Sequence, residues 1–295
     1  MPLIAIATCE DLPDLDADER LLLEALTAAG AEVDVAVWSD PAVIWRRYDA
    51  VVIRSTWDYT DDVHAFVEWA LRVGSVTLLL NPAEVVAWNV NKKYLAELAD
   101  AGVPIVPTMF LSPAERNATV GMPDTYTEVV VKPTISAGSR NTARYVVPEN
   151  LQAAAEHVDR LLDEDRVVMV QPYIDAVDTV GETGLVFIGG EFSHAIRKGQ
   201  MLHRDKPGAM VDGLYVVEDI SARAAAEAEL EVAYAALAAV PGGAEQLLYA
   251  RVDVVPDEEG NPILLELELT EPSLFFQHAP EAAGRLAAAI LARVS

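Results

Sequence analysis

The sequence predicts an α/β protein with a small parallel sheet in its opening third and a distinct α+β region after it. Three observations carry this. In the first 84 residues short apolar runs alternate with segments of helical spacing, the pattern of a parallel sheet with crossover helices. Past residue 123 the apolar runs come in pairs around Gly- and Asp-rich turns, which is the sign of antiparallel hairpins. At 295 residues the chain also exceeds what one core usually holds, so two or three subdomains are expected.

The elements follow in order. Residues 2–7 read as a buried strand. Residues 16–29 have helical spacing, with Leu22, Leu23, Leu26 and Ala29 on one side and Gly30 closing the helix. Strands follow at 33–37 and 49–53, and the loop Arg54-Ser55-Thr56-Trp57-Asp58-Tyr59 leaves the second of them. A helix at 63–73 precedes a strand at 77–80 that ends on Asn81-Pro82. One helix is expected from about 85 to 101, stopped by Gly102 and Pro104, with an extended linker at 103–111. A strand at 128–134, a Gly/Ser turn and a strand at 143–147 come next, then a helix at 150–162 and a strand at 167–170. Strands at 183–188 and 191–196 flank Gly189-Gly190. An Ala-rich helix is expected over 221–240. Strands at 246–255 and 262–269 flank Asp257-Glu258-Glu259-Gly260, and a helix at 279–294 closes the chain.

Bulk composition narrows the function classes. A net charge of −26 repels nucleic-acid phosphates and anionic membranes, so neither is expected as a partner. An anionic small molecule can bind only where some of the 21 Lys and Arg are concentrated. Hydrophobic residues make up 52 %, enough for a globular core. Cys9 has no second cysteine to pair with and ends an apolar run, so it reads as a core residue. The N-terminus shows no basic segment or cleavage pattern, and no apolar run approaches the ~18 residues that span a bilayer. The cytoplasm is the expected location, and a homo-oligomer is compatible with the pattern.

The residues that carry chemistry are few. Glu266 and Glu268 lie two apart on a strand and so share a face; a tight hairpin adds Arg251 and Asp253 to that face. Crowded carboxylates repel, and a hard divalent cation relieves that repulsion. Simple apolar-in, acidic-out alternation would give the same pattern for Glu266 and Glu268. Lys132 ends an apolar strand and leads into Ser136, Gly138 and Ser139, a point charge beside exposed backbone N–H groups that suits a polyphosphate. Lys92 and Lys93 lie on the helix before Gly102. Gln171-Pro172-Tyr173-Ile174 follows a buried run and can offer backbone groups to a purine edge.

In this order the pieces resemble the ATP-grasp superfamily of carboxylate–amine ligases. The resemblance runs from the lysine helix through Val-Val-Lys-Pro, the Gly/Ser loop, Val-Met-Val-Gln-Pro-Tyr-Ile, Gly181-Glu182, Arg197-Lys198 and Arg-Val-Asp to Leu-Leu-Glu-Leu-Glu. It implies an ATP-grasp fold preceded by a parallel α/β domain, with segments at 1–84 (substrate side), 85–122 (lysine helix and linker), 123–175 (small lobe) and 176–295 (C-terminal lobe with the metal site). It implies ATP and two Mg²⁺, with Mn²⁺ as a substitute, and a small amino-acid-like carboxylate as substrate. Lys132 and Lys92, with Lys93 as the alternative, would contact the phosphates, and Ser136, Gly138 and Ser139 would belong to the flap over them. Gln171, Tyr173 and Ile174 would hold adenine, and Glu182 would lie near the ribose or the substrate. Arg197, Lys132 and Arg251 would serve catalysis. Asp253, Glu266 and Glu268 would bind metal, although many members of the superfamily carry Asn where Glu268 stands.

Within the superfamily the chain length, the loop 54–59 and the segment 266–274 look similar to the cyclo-ligases of D-cycloserine biosynthesis, which close the ring of O-ureido-D-serine. Arg54, Ser55, Thr56 and Asp58 leave the third strand at its C-terminal end, where open α/β sheets place ligands, and with Ser273 they are the expected substrate anchors; residues 199–213, with His203, Arg204, Asp205 and Lys206 between two glycines, are the expected lid. The competing expectations are a ligase joining two molecules, of dipeptide or glutathione type, and an ATP-binding regulatory module without turnover.

Overall fold

The computed structural model describes residues 1–115, 126–200, 202, 210–211, 215–216 and 219–294. Strand β1 (Leu3–Thr8) is apolar on both faces because both are covered. Ile4 and Ile6 enter one core with helix α1 (Arg20–Ala28); Ala5 and Ala7 enter another, on the opposite face. Strands β2 (Glu32–Val37) and β3 (Ala50–Ile53), helix α2 (Val63–Gly74), which packs in that second core, and strand β4 (Leu78–Leu80) complete the expected parallel sheet, ordered β2-β1-β3-β4.

The expected helix over 85–101 is two helices, α3 (Ala83–Asn89) and α4 (Tyr94–Asp100). The break has visible causes. The Lys92 N–H donates to the Thr134 carbonyl at 2.8 Å, outside any helical ladder, and Asn89 donates to the Leu267 carbonyl at 2.8 Å. Strand β5 (Met109–Leu111) joins β6 (Glu128–Pro133), β7 (Ala143–Val146) and, beyond helix α5 (Leu151–Asp163), β8 (Val168–Pro172). They form an antiparallel sheet ordered β5-β8-β6-β7, backed by α5.

The hairpin of β9 (Glu182–Ile188) and β10 (Glu191–Lys198) stands as expected. Strands β11 (Met210–Val211) and β12 (Tyr215–Val216) pair with each other. The Ala-rich segment is not one helix. Its first residues form strand β13 (Ile220–Arg223), which pairs with β10, and helix α6 (Glu227–Ala238) starts where Glu229 accepts from the Ala226 N–H at 2.7 Å. Pairing a sheet edge has overridden helix propensity there. Strand β14 begins late (Tyr249–Pro256) after a short turn and pairs with β15 (Pro262–Glu268). Helix α7 (Glu281–Arg293) closes the chain.

The large sheet is ordered β13-β10-β9-β14-β15. Leu185 and Phe187 of β9 face α6. Val186 and Ile188 join α1, α7 and the opening sheet in one core, so the first third is packed directly on the last. No helix among the described residues is long and apolar enough to cross a membrane. His203, Arg204, Asp205 and Lys206 of the expected lid lie outside the described residues.

Candidate active site

The two antiparallel sheets and the opening domain enclose a cavity of about 620 Å³. Its charged face is set by strand register. Asp253 lies opposite Glu266 and Arg251 opposite Glu268, so all four share one face of the β14–β15 ladder, as the period-2 pattern requires. All four line the cavity.

Cations and carboxylates interleave there. The Lys198 amine donates to Asp253 at 2.7 Å and lies 3.2 Å from Glu182. Arg251 donates to Asp253 at 2.9 Å and to Glu268. The helix break delivers Lys92, whose amine donates to the Ser136 carbonyl at 2.7 Å and lies 3.1 Å from Glu266. Lys132 reaches Glu266 from β6 at 4.0 Å. Lys92 is buried and lines the cavity, while Lys93 is exposed.

Burial would raise the carboxyls of Asp253 and Glu266. The cations outweigh it: Arg251 and Lys198 hold Asp253 down to about 2, and Lys92 and Lys132 hold Glu266 below its ordinary value. Glu268 goes the other way. Burial and the repulsion of Glu266 and Asp253 push it to about 7 against the pull of Arg251. Burial likewise lowers Lys132 against the pull of Glu266.

Ser136, Gly138 and Ser139, the turn expected to cover the phosphates, line the cavity. Gly138 and Ser139 take positive φ, 58° and 59°, which turns the loop back on itself. Arg140 points away and pins the loop to the opening domain through Thr60 at 3.2 Å and Asp61 at 2.9 Å. Gln171, Tyr173 and Ile174 also line the cavity. Gln171 donates to Thr108 at 2.9 Å, and the Arg144 guanidinium stacks 3.3 Å above the Tyr173 ring. Glu182 and Ser273 are on the wall as well.

The structure places several of the expected residues away from the cavity wall or without the expected convergence. Arg197 does not line the cavity: its Nε donates to the Val180 carbonyl at 2.7 Å. Strand alternation gives the inward place to Lys198, because β10 runs two residues past its expected end. Arg54, Ser55, Thr56 and Asp58 do not line it either. Arg54 is 1 % exposed and donates through Nε to Glu19 at 2.8 Å; burial disfavours its charge, but Glu19 more than offsets this. Ser55 and Thr56 are fully buried, and Asp58 accepts from the Trp38 indole at 2.7 Å. The loop instead presents Trp57 and Tyr59 to the cavity. Asp253, Glu266 and Glu268 do not form a preassembled metal cluster: among the described residues no three acid, His or Cys side chains converge on one ion's position. Their donor chemistry still fits Mg²⁺, being hard anionic oxygens on one cavity face.

Sequence reasoning missed Lys198 and Glu271. For Lys198 the signal was the apolar–polar alternation continuing past residue 196. Glu271 lines the cavity, and burial, reinforced by Glu268, pushes its carboxyl to about 8.

A parallel domain beside two antiparallel sheets that close on such a cavity is the architecture of the ATP-grasp ligases, as expected from sequence. The model of the D-cycloserine synthetase DcsG N-terminal domain matches residues 4–81. Over 306 aligned residues the chain is 38 % identical to the cycloserine biosynthesis protein DcsG of Streptomyces lavendulae, covering 100 % of this chain and 99 % of that protein. The crystal structure of D-cycloserine synthetase DcsG superposes with a TM-score of 0.87 at 37 % identity, over 99 % of this chain and 100 % of that one. The ATP-grasp ligase PsnB, solved with a phosphomimetic variant of its minimal precursor, Mg and ADP, gives 0.64 at 20 % identity over 99 % and 98 % of the two chains, a likeness of fold. The chain belongs to the DcsG family of ATP-grasp ligases, enzymes that form C–N bonds.

Proposed function

We propose that this enzyme uses ATP to activate the carboxylate of O-ureido-D-serine and closes it on a nitrogen of the same molecule, giving D-cycloserine. The observation that carries this reading is the cavity's charged face: Lys92, Lys132, Lys198 and Arg251 are gathered there in a protein of net charge −26. Full-length identity to a cycloserine biosynthesis protein supports the choice of substrate.

In this reading Lys92, Lys132 and the N–H groups of the 136–139 turn hold the phosphates, and Gln171, Tyr173 and Ile174 hold the adenine. Glu182 lies near the ribose or substrate, and Ser273 near the amino-acid part. The substrate carboxylate attacks the γ-phosphorus and ADP leaves, forming an acyl phosphate. The oxygen-linked ureido nitrogen then attacks that carbonyl and phosphate leaves. One water releases the carbamoyl group as CO₂ and ammonia, so substrate, ATP and water give D-cycloserine, ADP, phosphate, CO₂ and ammonia. Lys198 and Arg251 offset the charge of the transferring phosphoryl, the work expected of Arg197. Mg²⁺, held by Asp253, Glu266 and Glu268, would screen the phosphate charge and polarise the γ-phosphoryl. The attack is intramolecular, so the pose of the substrate matters more than a dedicated base.

The test is ATP-dependent phosphate release with O-ureido-D-serine alone, with the product read by mass spectrometry. A cyclic product is expected, lost on chelation and restored by Mg²⁺ or Mn²⁺. Release only after a separate amine is added would identify a ligase joining two molecules. ATP binding with no turnover on any small amino-acid carboxylate would identify a regulatory module. Asp253→Asn and Glu266→Gln are expected to lower the rate at least ~100-fold, since each removes a charged metal ligand; unchanged rates would remove the metal assignment.

A further inference from the structure

Past Glu268 the chain runs along the cavity as an irregular strap, residues 269–275, with no strand ladder to hold it. Its carbonyls are held by side chains from elsewhere. Leu269 accepts from Asn81 at 2.7 Å, Thr270 from the Tyr249 hydroxyl at 2.9 Å and Glu271 from the Trp57 indole at 3.1 Å. Pro272 accepts from Arg54 at 2.6 Å and Ser273 from Arg251 at 3.0 Å, and the Leu274 carbonyl lies 2.8 Å from the His194 Nε2. Glu271, Ser273 and Phe275 face the cavity, while Pro272 and Leu274 are buried between them. Irregular backbone fixed at successive carbonyls is a rigid frame for the side chains it presents.

Glu271 stands apart from the other carboxylates of the cavity. Asp253, Glu266, Glu268 and Glu182 each have a Lys or Arg partner. Asp18 spends both oxygens on the Phe276 and Gln277 N–H groups, and Asp16 accepts from the Asp18 N–H. Among the described residues no ion pair is formed by Glu271; its carboxyl faces the Tyr59 hydroxyl. Glu271 is half-buried, and the cation that acts on it, Lys92, is already paired with Glu266, so a ligand ammonium would supply the ion pair that Glu271 lacks. An α-amino acid carries its ammonium one carbon from its carboxylate. The acceptor for that ammonium must therefore lie close to the face where the carboxylate is activated, and Glu271 follows Glu268 by three positions.

We propose that Glu271 is a specificity-determining residue that accepts the α-ammonium group of the substrate, with Arg54 and Trp57 positioning the strap that carries it. This rests on the reading above that the substrate is an amino acid activated at its carboxylate.

The test compares O-ureido-D-serine with its des-amino counterpart, in which hydrogen replaces the ammonium, by ADP formation in wild type and Glu271→Gln. Wild type is expected to favour the amine by roughly 100-fold or more in kcat/KM, because a site built around a charged group rejects an analogue lacking it. In Glu271→Gln the ratio is expected to fall toward 1, mainly through KM for the amino acid, with KM for ATP moving far less. Glu271→Asp is expected to keep part of the preference. A residue that only props the fold would lower turnover of both substrates alike, and an unchanged ratio overturns the proposal. So does a wild-type enzyme indifferent to the amine, a result independent of whether any variant folds. Absence of ADP formation in wild type with either compound would instead sink the function itself.

Discussion

Arg54 and Arg251 are both buried, both paired with a carboxylate, and both donate to neighbouring carbonyls of the same strap, Pro272 and Ser273. Their partners differ. The Glu19 side chain is 4 % exposed, whereas that of Glu268 is 27 % exposed and faces the cavity. The pair formed by Arg54 is sealed, and its cation is committed to architecture. The pair formed by Arg251 borders open space, so a ligand anion can take a share of its guanidinium. A buried arginine near a site is thus a structural or a chemical group according to where its partner's other side points.

The comparison breaks most sharply at Arg54. Arg54→Met leaves Glu19 buried and unpaired, and a loss of about 3–5 kcal/mol is expected in denaturant unfolding. Replacing both partners, with Glu19→Leu added, should recover part of it; a single variant as stable as wild type would show that the pair is not structural. Next comes Arg251→Met, expected to lower kcat/KM by ~100- to 1,000-fold, about 3–4 kcal/mol of transition-state stabilisation. Its unfolding transition should move less than that of Arg54→Met, because Lys198 still pairs with Asp253. A stability loss as large as at Arg54 would erase the distinction. The smallest effect sharpens the neighbouring case. Lys198→Met should weaken turnover by roughly 10-fold or more, and Arg197→Met by less than about 3-fold, with steady-state kinetics as the readout. The reverse order would return the inward role to Arg197.

Periodic elements made much of this legible in sequence. Alternation placed Arg251, Asp253, Glu266 and Glu268 on one face, and the ladder register bears that out. The parallel opening sheet was visible because continuous apolar runs demand cover on both sides. What was not legible lay where period is lost. The 54–59 loop carries polar residues that looked ligand-facing, but a turn has no fixed alternation, and the partners of Arg54 are Glu19 and Pro272, far apart in sequence. The break between α3 and α4 was hidden for the same reason, since Asn89 and Lys92 answer to carbonyls at Leu267 and Thr134. Cross-strand register also decided between Arg197 and Lys198, which neighbour each other in sequence but face opposite ways.

The side-chain clamps on the strap have a kinetic consequence. Asp18 reaches the Phe276 N–H, Arg54 the Pro272 carbonyl and Trp57 the Glu271 carbonyl, all closing loops of more than two hundred residues. Contacts of such sequence separation form late, after the loops between them have been closed at entropic cost. The opening domain, made first on the ribosome, must therefore wait for almost the whole chain before its loops acquire their partners. In refolding, protection of the sheet cores should precede recovery of the cavity wall, and a chain ended before residue 269 should keep its sheets longer than it keeps any capacity for substrate.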